Sequence, residues 1–269
     1  MTFNDLNRPP LDEAALRAAL IGTDSLWQDV EVTVETPSTN VALAERAKAG
    51  APGGSVLTTD HQSAGRGRMD RRWEAPPRSG LAVSVLLRPI DVPAARWVWL
   101  PLLVGLAVDA TVNAAGVRSG LKWPNDVVVG DRKLAGILLE RVDTSSGPAA
   151  IAGVGLNVTL TDEELPTAQA TSLQLEGATS TDRSVLLRSY LRNLEALYRS
   201  WVASAGDPTA GIQESYVRRC VTIGRNVSVQ NPDGTRTEGT AEAIDDFGRL
   251  VVGGIAISAG DVVHVRPTS

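Results

Sequence analysis

Residues 121–158 read LKWPNDVVVGDRKLAGILLERVDTSSGPAAIAGVGLNV, and the way this stretch breaks organises the chain around it. Short segments at 121–123 and 127–129 flank Pro124-Asn125-Asp126, which interrupts a strand rather than continuing it. Gly130-Asp131 is a hairpin signal, so a strand over 134–142 should follow, with its partner over 149–160. Glycines at 136, 153 and 155 leave gaps on those strands. Such gaps suit close approach of a ligand or of another backbone, and packing alone would explain the pair at 153 and 155 equally well. Lys122, Asn125 and Asp126 bring an ammonium, an amide and a carboxylate to the break. Alone, they need be no more than a strand end with an Asx turn.

Upstream, residues 11–20 have helical apolar spacing and 30–34 alternate as a strand does. Pro37-Ser38-Thr39-Asn40 breaks that strand, and Ser38 or Thr39 is placed to cap a helix over about 40–49. Further strands are expected over 55–60 and 81–87, with a polar loop at 61–80 between them. A long helix is expected over 94–115. Downstream come a broad-faced amphipathic helix over 183–204 and a short one over 208–218. After Cys220 the pattern changes to short strands at 227–230, 237–244, 249–252, 256–258 and 262–265, separated by tight turns, which suggests a small barrel. This divides the chain into a catalytic domain, 1–219, and a C-terminal domain, 220–269. Residues 1–10 read as a mobile tail.

The 269 residues carry 43% hydrophobic side chains and a net charge of −5, enough apolar content for a core and no global basic balance that would suggest nucleic acid. One cysteine and two histidines exclude an internal disulfide and a Cys/His zinc cluster. Cys220 reads as a small buried apolar residue. The N-terminus has no signal-peptide pattern, and the apolar run at 97–108 is short for a bilayer and contains Pro101. A soluble, cytoplasmic protein is expected. No Walker-type loop and no dinucleotide fingerprint occur. The loop at 65–73 instead reads GRGRMDRRW. Its glycines allow backbone N–H groups to approach an anion, its arginines bind phosphate, and Trp73 offers a face to a purine. A generic string of this kind is also consistent with a solvated basic loop, and Lys133 with a solvated strand edge.

Taken together and in this order, GRGRMDRRW, KWPNDV, KLAGILLE and GVGLNV closely resemble the biotin–protein ligase family over roughly residues 30–269. The resemblance implies an α/β (α+β) fold. A mixed sheet flanked by helices, similar to the core of class II aminoacyl-tRNA synthetases, would precede an SH3-like barrel. It implies that Ser38, Thr39, Asn40, Gln62, Gly65, Arg66, Gly67, Arg68, Lys133, Gly153 and Gly155 bind biotin. Arg66, Arg68, Arg71, Trp73, Lys122, Asn125, Lys133 and Asn157 would surround ATP. Lys133, Arg68 and Asp126 would carry the chemistry, with Mg²⁺ on the phosphates and its protein ligands unassigned. The implied reaction makes biotinyl-AMP and passes the biotinyl group to a lysine of a biotin carboxyl carrier domain. The barrel is expected to help dock that acceptor or secure ATP. Only 37 residues precede Ser38, so a DNA-binding regulator is disfavoured, and a monomer or weak dimer is expected with no nucleic-acid or membrane partner. A lipoate or octanoate ligase would share the fold and the adenylate chemistry, but GRGR with KWPND favours biotin.

Overall fold

The structure, a computed structural model, describes residues 8–69, 71–231, 233–258 and 260–265. Helix α1 (Glu13–Leu20) starts at Asp12, whose carboxylate accepts the Ala15 N–H at 3.0 Å. Strands β1 (Asp29–Thr36) and β2 (Ser55–Gln62) run parallel, joined by α2 (Thr39–Lys48). Then come β3 (Gly80–Leu87), α3 (Leu100–Ala114), β4 (Gly120–Lys122), β5 (Asp126–Val129), β6 (Arg132–Thr144) and β7 (Gly147–Asn157). Helices α4 (Arg183–Ala203) and α5 (Ile212–Arg219) complete the larger part. The sheet order is β1-β2-β3-β7-β6-β5-β4, antiparallel except for the first pair, so the expected mixed sheet is present.

The two faces of this sheet are covered unequally. Helices α3 and α4 fill one face; α3 has 11 buried residues among its 15 and is apolar almost all round, as a core helix must be. On the other face, α2 covers only one end, where Leu43 and Ala47 pack on Leu57, Leu86, Val142, Ala149 and Ile151. Side chains alternate along a strand, so Gly153 and Gly155 lie on the same face as Ala149 and Ile151. They sit beyond the reach of α2. The uncovered remainder of that face is where a cavity forms.

Several elements differ from their sequence reading. The long helix expected at 94–115 is a 3₁₀ turn (Ala94–Trp99) followed by α3, with Pro101 in the first helical turn, where its missing N–H costs nothing. Together, Ala94–Ala114 is long and apolar enough to cross a membrane by length and composition, but most of it is buried inside the protein. The helix expected at 208–218 likewise divides into a 3₁₀ turn (Pro208–Ala210) and α5. The tail read at 1–10 is anchored where it is described: Arg8 pairs with Glu164 and donates to Thr159 O at 2.7 Å, and the Pro9 carbonyl accepts from Arg183 at 2.6 Å. Arg183 is itself in a buried ion pair with Asp60 at 2.8 Å. Residues 1–7 lie outside the described part. Cys220 is buried, and burial pushes its thiol up, as suits a packing residue.

Five strands form the SH3-like C-terminal sheet: β8 (Asn226–Gln230), β9 (Arg236–Ile244), β10 (Leu250–Val252), β11 (Ile255–Ile257) and β12 (Asp261–His264), in the order β11-β10-β9-β8-β12. Among the described residues it has no separate core. Val227, Val229, Leu250 and Val262 belong to the same buried apolar cluster as Leu100, Leu121 and Trp123. The indole N–H groups of Trp99 and Trp123 donate across the junction to Asp246 O (2.9 Å) and Gly248 O (3.0 Å). Val221 N–H donates to Leu121 O at 2.8 Å. We therefore expect both sheets to unfold in one cooperative transition. Trp123→Phe should leave the buried Gly248 carbonyl without its indole donor and destabilise the whole protein by about 1–3 kcal/mol. Urea melts followed by tryptophan fluorescence and by far-ultraviolet dichroism should shift together; two separated transitions would refute the shared core.

Candidate active site

The glycines on the open end of the sheet form a floor. Gly153 of β7 is flanked by Ser84 of β3 and Leu138 of β6, and Gly155 by Ala82 and Gly136. Asn40 projects from the first turn of α2 onto this floor; a Cβ at Gly153 would stand 2.2 Å from its Oδ1. The position of α2 is set by β2 rather than by ordinary capping. Ser38 occupies the cap position, but its hydroxyl makes no capping bond. Instead the Gln62 carbonyl oxygen accepts from Thr39 N–H (2.8 Å) and from the Thr39 hydroxyl (3.1 Å). Ser84 Oγ lies 2.8 Å from Thr39 Oγ1 and 2.6 Å from Asn40 Oδ1. The Asn40 amide donates to Glu140 Oε2 (2.8 Å) and to Leu138 O (3.2 Å). Ser38, Thr39, Asn40 and Gln62 thus line one end of the cavity, the last three joined through Ser84 into one polar set.

The loop after β2 folds over the floor as a short hairpin. Trp73 N–H donates to Gly65 O at 2.9 Å, Arg66 bridges Arg72, and Gly67 N–H donates to Arg71 O at 2.7 Å. Gly65 is required by that hairpin, since a Cβ there would meet Trp73 O at 2.2 Å. It supports the cavity wall without lining it. The Trp73 indole lies flat-on against the floor: a Cβ at Gly155 would stand 2.3 Å from Trp73 Cε2, and one at Gly136 3.2 Å from Cζ3. Trp73 and Gly155, assigned by resemblance to different ligands, therefore touch each other.

Five cations line the cavity, and each has its own acceptor. Arg66 pairs with Glu140 (3.0 Å), Arg68 donates to Asn125 Oδ1 (2.8 Å), Arg71 pairs with Asp261, Arg72 faces Glu74 (3.7 Å), and Lys133 meets Asp126 (2.7 Å). Burial pulls the Arg68 guanidinium below its ordinary value, and Arg71 adds to this, while Asp126 opposes it. Asn125 is held in turn by donating to Ile137 O at 3.0 Å. Lys133 stands beside Trp73, its Nζ 5.8 Å from the ring centroid.

Two assignments do not meet the others. Asn157 is buried, donates to Thr171 O at 2.9 Å and does not line this cavity, because the chain after β7 folds over its side chain. Lys122 lines a different cleft, between the β5–β6 turn and the C-terminal sheet, with Asp131, Arg225 and His264. It is nevertheless the register partner of Asp126 on β5, so it stands beside the first cavity without lining it. Ser84, Gly136, Glu140 and Asp261 were absent from the sequence assignment. A serine inside the apolar run LAVSVLL was the available signal for Ser84, and the KLAGILLE strand contained Gly136 and Glu140; nothing in the sequence marked Asp261.

Residues 32–157 match the Biotin/lipoate A/B protein ligase family, and residues 222–265 match the Biotin protein ligase C terminal domain. The biotin–[acetyl-CoA-carboxylase] ligase of Mycobacterium tuberculosis is 44% identical, across 99% of this chain and all of that protein. The chain belongs to the biotin–protein ligase family. The bifunctional ligase/repressor BirA of Bacillus subtilis is 32% identical, over 88% of this chain and 71% of its own length. Among solved structures, a biotin protein ligase from Aquifex aeolicus in complex with biotin and ATP superposes with a TM-score of 0.74 at 24% identity, covering 89% of this chain and all of that one.

The second cleft makes a pH prediction. Burial, then Lys122 and Arg225, push the His264 imidazole from 6.5 down to about 4. Arg225 can only donate, so at 3.1 Å it fixes Nδ1 as an acceptor in a neutral ring. Unfolded chains take up this proton below pH 6.5, whereas the folded ring refuses it until about pH 4. Stability should fall as pH drops through that window and be unaffected by this residue above it. His264→Gln should shrink the difference between urea midpoints at about pH 7 and about pH 5; an unchanged difference would refute the assignment.

Proposed function

We propose that this protein uses the glycine-floored cavity to join biotin to ATP, and then passes the biotinyl group to one lysine of the biotin carboxyl carrier of acetyl-CoA carboxylase. The observation that carries this reading is the pairing of a ring-sized apolar floor with a cluster of cations in one cavity. The floor accommodates a flat ring, since the Trp73 indole lies on it. The polar end at Ser38, Thr39, Asn40 and Gln62 offers donors and acceptors suited to a ureido ring. The cationic end suits a carboxylate and phosphates. The C-terminal match and the M. tuberculosis relative favour biotin over lipoate.

In the first half-reaction a biotin carboxylate oxygen bonds to the α-phosphorus of ATP, and the bond to the leaving diphosphate breaks. Two anions must approach while charge gathers on the phosphoryl oxygens, so fixed cations lower the barrier. Arg66, Arg68, Arg71 and Lys133 serve this role by exchanging their protein acceptors for substrate oxygens. Because they are already held in place, little reorganisation accompanies the reaction. Asp126 suits Mg²⁺, which is commonly held by one or two carboxylates together with substrate phosphates. Its Oδ1 is buried and, although 2.7 Å from Lys133 Nζ, makes no aligned hydrogen bond. When bound, the ion would neutralise phosphate charge.

In the second half-reaction the acceptor amine attacks the carboxyl carbon and AMP leaves. A free lysine has a pKa near 10.4, so reaching the neutral amine near pH 7.4 costs about 4 kcal/mol. In this reading Asp126, which pairs with Lys133, orients that amine and receives its proton. The proposal extends to a cytoplasmic enzyme, a monomer or weak dimer without a nucleic-acid partner, and a division of labour at residue 219. The net charge of −5 supports the absence of nucleic acid.

ATP–pyrophosphate exchange that requires biotin tests the reading, and exchange driven by lipoate instead would overturn it. Lys133→Ala removes a charged hydrogen bond and should slow exchange about tenfold or more. Exchange at the parental rate would exclude Lys133 from the chemistry.

A further inference from the structure

Asp261 presents a carboxylate to a cavity lined mainly by cations, and unlike Asp126 it comes from the C-terminal sheet rather than from the catalytic one. A carboxylate there repels phosphate, so its presence requires another purpose. Its partner is Arg71 of the loop that folds over the floor. The backbone of Arg71 closes the turn carrying Arg68: Arg71 O accepts from Gly67 N–H at 2.7 Å, and Arg71 N–H donates to Arg68 O at 3.2 Å. Fixing Arg71 therefore fixes the turn from which Arg68 reaches Asn125.

The two partners differ in rigidity. Asp261 opens β12 and pairs in register with Gln230 of β8. Gly260 before it is pressed against that strand, since a Cβ there would stand 2.5 Å from Val229 Cγ1. Asp261 is thus held by a sheet whose core is continuous with the rest of the protein. Arg71 sits in a loop, and its side chain is 64% exposed. An ion pair this open to water adds little to global stability. A loop, however, opens and closes within a small free-energy range, where a weak tie changes the closed population.

We propose that Asp261 is a positioning residue for the adenylating reaction: through Arg71 it holds the arginine loop closed over the cavity, so that the C-terminal sheet sets the geometry of Arg68. This rests on the proposed function and deepens it, giving the C-terminal sheet a defined part in substrate retention. As phosphate arrives it competes for Arg71, and the loop passes from the protein's carboxylate to the ligand's oxygens.

Trypsin reads the loop directly, since it offers four arginines between positions 66 and 72. Asp261→Asn, nearly isosteric, should leave the urea midpoint unchanged, speed nicking at 66–72 in the ligand-free protein, raise KM for ATP about tenfold, and speed release of biotinyl-AMP. KM for biotin should move much less. Asp261→Glu keeps the charge and should restore slow nicking and most of the ATP affinity. Parental nicking or a parental KM for ATP in Asp261→Asn would overturn the proposal. So would a Glu variant no better than Asn, or a fall in midpoint that accounts for the faster nicking. The nicking arm needs no turnover: if the protein lacks biotin-dependent exchange, the proposed function fails while the tie between Asp261 and the loop is still decided.

Discussion

Cations gathered in one cavity repel one another, and the structure must hold them there before any phosphate arrives. Each of the five is given an acceptor: two carboxylates from β5 and β6, an amide at the strand break, a carboxylate from the C-terminal sheet, and one in the loop itself. These acceptors come from segments spread between residues 74 and 261, so the cavity exists only when distant parts of the chain have met. Folding and charge placement are thereby one problem. The same pairs leave the cations aimed, and burial leaves Arg68 partly desolvated as well, which is the condition under which fixed charge is most effective.

The floor obeys a simpler rule. On a strand, side chains alternate, and α2 covers only the part of the sheet face that Leu43 and Ala47 can reach. Past that point, β6 and β7 carry glycine where an apolar side chain would fill the space. The register places Gly136 opposite Gly155, so the gaps coincide and one broad platform results instead of two pits. A shift of one residue in that register would separate them and turn the glycine of the shifted strand to the helical face.

The strand break at Pro124, the hairpin at Gly130-Asp131 and the amphipathic helix α4 were legible in the sequence because each rests on local spacing. So was the mixed sheet once four motifs were read together. What escaped the sequence depended on contacts between distant residues. Asp261 is an ordinary acidic residue before a strand until Arg71 is seen opposite it. Asn157 follows two floor glycines and looks like a ligand contact, but residues 158–173 fold back over it. Lys122 pairs in register with Asp126, and it nevertheless lines the neighbouring cleft. The division at residue 219 marks a real change in strand pattern and not a change of core, because composition along the chain does not reveal which apolar faces share one interior.

That shared interior bears on how such a protein can be inherited and rearranged. A domain with its own core can be moved between genes with little penalty, since both pieces remain closed. Here the cut would uncover Trp99 and Trp123, both nearly inaccessible to water, and strand two indole N–H groups whose acceptors lie at Asp246 and Gly248. An exchanged C-terminal sheet would have to bring a matching apolar underside and two carbonyls in register. Lineages carrying this junction should therefore transmit both halves as a unit, and successful chimeras should be those whose crossover falls in the exposed loops rather than at the boundary that the sequence pattern advertises.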